Sequence, residues 1–160
     1  MDKTAKGFSL IELLIVVAII LIIAAIAIPN FLRSRMAANQ ASAVSSLRTI
    51  NTAEVTYSTT FGNGFSLDMI SLAPPAAGGI ATSAAAGLID SVLAQGSKSG
   101  YTFIYSPGAS DGAGRINTYS LNAGPSSNST GTNYYYTDQS GVIRMNATTT
   151  ASDTDSPLAG

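Results

Sequence analysis

At 160 residues the chain has room for one domain, or one domain with an appendage, and its net charge of −1 offers no basic field for nucleic acid. Charged residues are only 11% of it, less than half the share usual in soluble domains. Cysteine and histidine are both absent, which excludes disulfides, thiolate metal sites, a cysteine nucleophile and the commonest general base. No Ser/His/Asp set, phosphate loop or paired carboxylates stand out either, so no catalytic, cofactor or metal site is expected.

The first element is a 21-residue stretch, 8–28, in which only Ser9 and Glu12 are polar. As a helix it would span roughly 31 Å, about the hydrocarbon thickness of a bilayer. Residues 13–28 carry no polar side chain and no face pattern, as expected of a helix apolar all round. Lys3 and Lys6 precede the stretch and Arg33 and Arg35 follow it, so charge sets orientation weakly. A short leading flank and a large trailing domain favour an inward N-terminus with the domain exported.

Three readings fit this stretch. A plain signal anchor would hold a small exported domain, leaving a monomeric binding protein. A secretory signal peptide would be cut after Ala25-Ile26-Ala27, which has the small-x-small form of such sites. Against that, the stretch is long for a signal core, Glu12 interrupts it and Pro29 follows the cut closely. The third reading gives Glu12 a purpose. A carboxylate at mid-bilayer costs on the order of 2.5–3.5 kcal/mol and is usually there for function. A cut between Gly7 and Phe8 would create an α-amine four residues before it, cationic below a pKa of roughly 7.7–8.0. An amine on a neighbouring copy would satisfy the carboxylate and fix axial register. On that reading Glu12→Ala or Glu12→Gln leaves insertion intact and reduces assembly.

The run Lys6-Gly7-Phe8-Ser9-Leu10-Ile11-Glu12, continued by Leu13-Leu14-Ile15-Val16-Val17-Ala18-Ile19-Ile20 and Ala24-Ala25-Ile26-Ala27-Ile28-Pro29-Asn30-Phe31, resembles the start of type IV pilins and type II secretion pseudopilins. The resemblance implies a leader, residues 1–7, removed after Gly7 by a membrane prepilin peptidase, with methylation of the Phe8 amine. It implies assembly by inner-membrane machinery into a homopolymeric surface filament serving adhesion, motility or uptake. It assigns Glu12 to pairing with the Phe8 amine of a neighbour. Leu21 stands where many relatives carry glycine, which bears on how far the helix unwinds between that position and Pro29. Pro29 itself is expected to break the helix, since proline removes one backbone bond and clashes one turn back.

After Pro29, no glycine or proline interrupts residues 30–60. Ala37, Ala41, Val44, Leu47, Ile50, Ala53 and Tyr57 recur at spacings of three and four, one apolar stripe for packing on the rest of the chain. Turn residues at 61–64 close the pattern, so residues 8–60 form one long helix, with 8–28 spanning the membrane and 29–60 amphipathic.

Residues 61–160 form the head. A short helix is expected within 81–95, weakened by Gly87. Strands are expected at 101–105, 116–122, 133–137 and 142–146, the last two joined by a loop at 138–141. A three- or four-stranded antiparallel sheet laid on the long helix gives an α+β, pilin-like fold. The tail from residue 147 carries no aromatic residue and is expected to be flexible. Asp111, Asp138, Asp153 and Asp155 lack calcium-loop spacing and read as solvated turn residues. The chain also lacks the tryptophan and acidic C-terminal calcium loop frequent in major type II pseudopilins, and the C-terminal disulfide of many type IV pilins.

Overall fold

The computed structural model describes residues 7–158. In chain order it contains helix α1 (Leu10–Phe61), a 3-10 turn (Ile70–Leu72), helix α2 (Ser91–Ala94) and strands β1 (Ser97–Lys98), β2 (Tyr101–Pro107), β3 (Tyr119–Pro125), β4 (Tyr134–Asp138) and β5 (Arg144–Asn146). Its contacts divide it into two units, one ending at Arg35 and the other beginning at Met36.

In the first unit α1 is apolar on every side, and its large side chains, among them Leu10, Leu14, Ile20, Ile26 and Phe31, are exposed. It is the one helix among the described residues long and apolar enough to cross a membrane. Pro29 lies inside α1, and the helix continues unbroken on both sides of it. The break expected at Pro29 is therefore absent from the isolated chain. A single proline deletes one rung of the hydrogen-bond ladder, and the helix-forming residues on either side carry the ladder on.

In the second unit, residues of α1 and the sheet share one core. Ala43, Leu47, Ile50, Ala53 and Tyr57 of α1 meet Tyr101 and Phe103 of β2, Leu121 and Ala123 of β3, and Tyr135 of β4. The apolar stripe differs at its start from the expected one. Ala43 and Ser46 are buried, while Ala37 and Ala41 are exposed. Small residues occupy so many positions here that spacing alone could not choose the inner face. Polar clips set the register of helix on sheet. Asn51 donates to Thr137 Oγ1 at 2.9 Å and accepts from Tyr119 Oη at 3.0 Å, while Asn39 donates to the Thr130 carbonyl at 2.9 Å.

The sheet is antiparallel throughout, in the order β1-β2-β3-β4-β5. It has five strands rather than three or four, because the two-residue β1 also pairs with β2. Alternation along β4 buries Tyr135 and leaves Tyr134 and Tyr136 half-buried on the other face. The expected helix within 81–95 shrinks to the four residues of α2, capped by Asp90, whose carboxylate accepts from Val92 N and Leu93 N. Gly87 has a φ of +70°, and the amides of residues 86–89 bond to carbonyls of Ser71, Leu72 and Ala73 instead of to one another.

The tail expected to be flexible is laid back against β5. Met145 N donates to Ser156 O at 3.1 Å, Leu158 N donates to Ile143 O at 2.8 Å, and Ala151 is buried. Asp155 anchors it by accepting from Ser152 N and Asn146 Nδ2, at 2.7 and 2.9 Å. Composition reports apolar content, whereas these contacts are mostly between polar groups and backbone.

Candidate assembly and processing site

Gly7, Phe8 and Ser9 precede the first turn of α1 in non-helical backbone. The rest of the leader, residues 1–6, lies outside the described residues. A Cβ added at Gly7 would meet nothing within 4 Å, so this fold places no demand for glycine there. Phe8 is 81% exposed.

Glu12 sits in the first turn of α1, and its Oε2 accepts a hydrogen bond from Ser9 N at 3.0 Å. This is half of a capping box: the glutamate three residues after the cap reaches back to the cap's own amide. The Ser-x-x-Glu spacing ahead of an apolar run was a signal for it, one the membrane reading of Glu12 had passed over. The carboxylate also complements the positive end of the helix dipole. Among the described residues its other oxygen has no hydrogen-bond partner, and no hydrogen bond joins Phe8 to Glu12. Pro29 lies five helical turns on and makes no part of this cluster. The end of α1 therefore combines an exposed aromatic residue, a carboxylate with one oxygen in use, and a glycine whose role lies outside the fold.

A second acidic residue of α1, Glu54, is fully buried against Ser66 and escaped the sequence reading. The signal was its place on the buried stripe, at 54 in the series 47, 50, 54, 57.

A long N-terminal apolar helix and a small antiparallel sheet packed on its second half define a pilin-like α+β protein. The prokaryotic N-terminal methylation motif matches residues 2–28, and over its N-terminal segment the chain is similar to type IV pilins. The chain is 50% identical over 52 residues to the type IV major pilin protein PilA of Myxococcus xanthus, which is 32% of this chain and 24% of that one. It is 65% identical over 37 residues to the type IV wide pilus major component PilA4 of Thermus thermophilus, 23% of this chain and 28% of that one. The chain thus spans about a quarter of the length of these curated relatives. No solved structure matches it.

Proposed function

We propose that the chain is the precursor of a type IV pilus subunit, cut between Gly7 and Phe8, methylated on the new amine and polymerised through its long helix. The observation that carries this reading is the end of α1: an apolar rod whose first turn holds one carboxylate, just after a glycine that the fold does not require. A glycine without structural purpose is what a peptidase that must close around the backbone would select. The bond it precedes lies outside the helix, where an extended chain can enter an active site.

The mature subunit waits in the inner membrane with its N-terminus inward. There the new amine and Glu12 carry opposite charges, and in lipid each is costly alone. Glu12 keeps one oxygen on Ser9 N and offers the other to the amine of a neighbour. Contact between apolar helices replaces lipid with protein packing, so fit and the polar pair drive association. Assembly machinery supplies the work of extraction. In the filament Pro29, with one rung already missing, is the point where α1 yields to packing.

Intact-mass measurement of the protein from producing cells tests this. Loss of residues 1–7 with one added methyl supports it; a full-length chain, or cleavage after Ala27, overturns it. Electron microscopy of producing cells then separates a long surface pilus from the short pseudopilus of a secretion system.

A further inference from the structure

The junction between α1 and the sheet is closed by residues 62–69, and its centre is a contact between two fully buried polar residues, Glu54 and Ser66. Ser66 N donates to Glu54 Oε2 at 2.9 Å. Ser66 Oγ lies 2.6 Å from Glu54 Oε1 and 2.9 Å from the carbonyl oxygen of Asp68. Tyr105 Oη donates to the Ser66 carbonyl at 2.9 Å, so its hydrogen is directed there.

The hydrogens do not suffice for an ionised glutamate. Ser66 Oγ carries one hydrogen, and two oxygens sit within 3 Å of it. If Glu54 is a carboxylate, that hydrogen serves either the carboxylate or the Asp68 carbonyl, and the other contact is two oxygens facing each other with none between. One proton on Glu54 Oε1 completes the set. Glu54 then donates to Ser66 Oγ, Ser66 Oγ donates to the Asp68 carbonyl, and Ser66 N donates to Glu54 Oε2. Each of these three contacts becomes a donor–acceptor pair, as buried polar groups require, leaving only the longer 3.4 Å approach of Ser66 Oγ to Tyr105 Oη without a hydrogen.

We infer that Glu54 is a neutral carboxylic acid in the folded chain and that its proton closes the 62–69 strap onto α1, which makes the strap a clasp that loosens as pH rises.

The surroundings agree. The titratable groups facing Glu54 are Tyr57 of its own helix, Tyr105 of β2 and Tyr119 of β3, with Asp68 of the strap near Tyr57, none of them a cation. Both ion pairs among the described residues, Lys98–Asp90 and Arg115–Asp111, lie elsewhere. Burial pushes the Glu54 carboxyl above its ordinary 4.5, and the hydrogen bonds of Ser66 and, least, the hydroxyl of Tyr105 oppose that only in part. Loss of the proton to solvent would leave a buried charge without a counter-ion, which is costly.

Carboxyl carbon NMR of the full-length chain in detergent micelles tests this directly. At about pH 5.5, one unit above the ordinary 4.5, an unperturbed glutamate is ionised roughly ten to one. Glu54 is expected to show the shift of the protonated acid there; the shift of a carboxylate overturns the inference. Glu54→Gln supplies a second readout, because its amide can donate to Ser66 Oγ while its carbonyl accepts from Ser66 N. Thermal melting of the wild type should weaken with rising pH relative to Glu54→Gln, with roughly tenfold lost from the folded-to-unfolded ratio for each unit of elevation. Parallel melting profiles also overturn the inference. If Glu54→Gln does not fold, the carboxyl titration of the wild type decides alone.

Discussion

Glu12 and Glu54 stand on one helix in opposite circumstances, the first exposed in its opening turn, the second sealed inside the core. Glu12 combines a local task with a proposed external one, and the two can be pulled apart. Glutamine at the third helical position can also reach back to the cap amide, so Glu12→Gln keeps the helix start and removes only the charge. Glu12→Ala removes both, at a capping cost of about 1 kcal/mol. If the charge pairs with a neighbour's amine, both variants insert in the membrane and both lose surface filaments, counted by electron microscopy against membrane-fraction protein. Filaments retained in Glu12→Gln and lost in Glu12→Ala would mean that the cap is what assembly needs. Residue spacing made Glu12 conspicuous as the one acid in an apolar run. It left Glu54 hidden, since one polar residue in a striped helix looks like an ordinary exception until Ser66, twelve positions on, folds over it.

At the scale of elements, long regular patterns were legible and short irregular ones were not. The helix announced itself by an apolar run and, after Pro29, by residues 30–60 without glycine or proline, and β2 and β4 by their aromatic and β-branched residues, while the strand expected at 116–122 lies at Tyr119–Pro125. The truncated α2 and the strapped tail depend on hydrogen bonds between segments with no periodicity, such as Leu88 N to Leu72 O and Leu158 N to Ile143 O. The turn after α1 illustrates the difference. Gly64 reads simply as a helix stop, yet it bridges to Ile116 at a φ of +77°. A Cβ there would run into the Ile116 carbonyl oxygen. Gly64→Ala should therefore destabilise the head by at least the 1–3 kcal/mol or so of a strained left-handed residue, read as a lower midpoint in urea. Gly62→Ala, also at positive φ but with nothing within 4 Å, should lose only the strain term. Equal losses at both positions would show that the Ile116 contact contributes nothing.

Taken whole, the molecule has so few charges that its response to pH falls to a handful of groups. Asp90 is held below its ordinary 3.8 first by its hydrogen bond from Lys98, Asp111 is drawn down to about 2 by the backbone of Arg115, and Asp155 is lowered by the amide of Ser152. Each carboxyl binds protons more weakly folded than unfolded. Its contribution is present above 3.8 and disappears as pH falls through the folded value. Glu54 has the opposite sign, with its contribution full below 4.5 and lost as pH rises. Melting temperature of the full chain should thus decline in both directions from a narrow acidic optimum. Asp155→Asn should flatten the acid limb alone, and a profile superimposed on wild type below 3.8 would remove Asp155 from it.

The tail folded back on β5 has a further consequence. A sheet normally ends in a row of unpaired amides and carbonyls that can recruit another chain, the usual start of cross-β aggregation. Here one margin is β1, two residues long and bearing Lys98, and the other is covered where residues 156–158 bond to Ile143 and Met145. The β5 margin thus offers another copy little on which to dock, and the open edge is reduced to residues 104–107 of β2, beyond the reach of β1. If copies assemble as proposed, the covered margin keeps them from gathering in the wrong way.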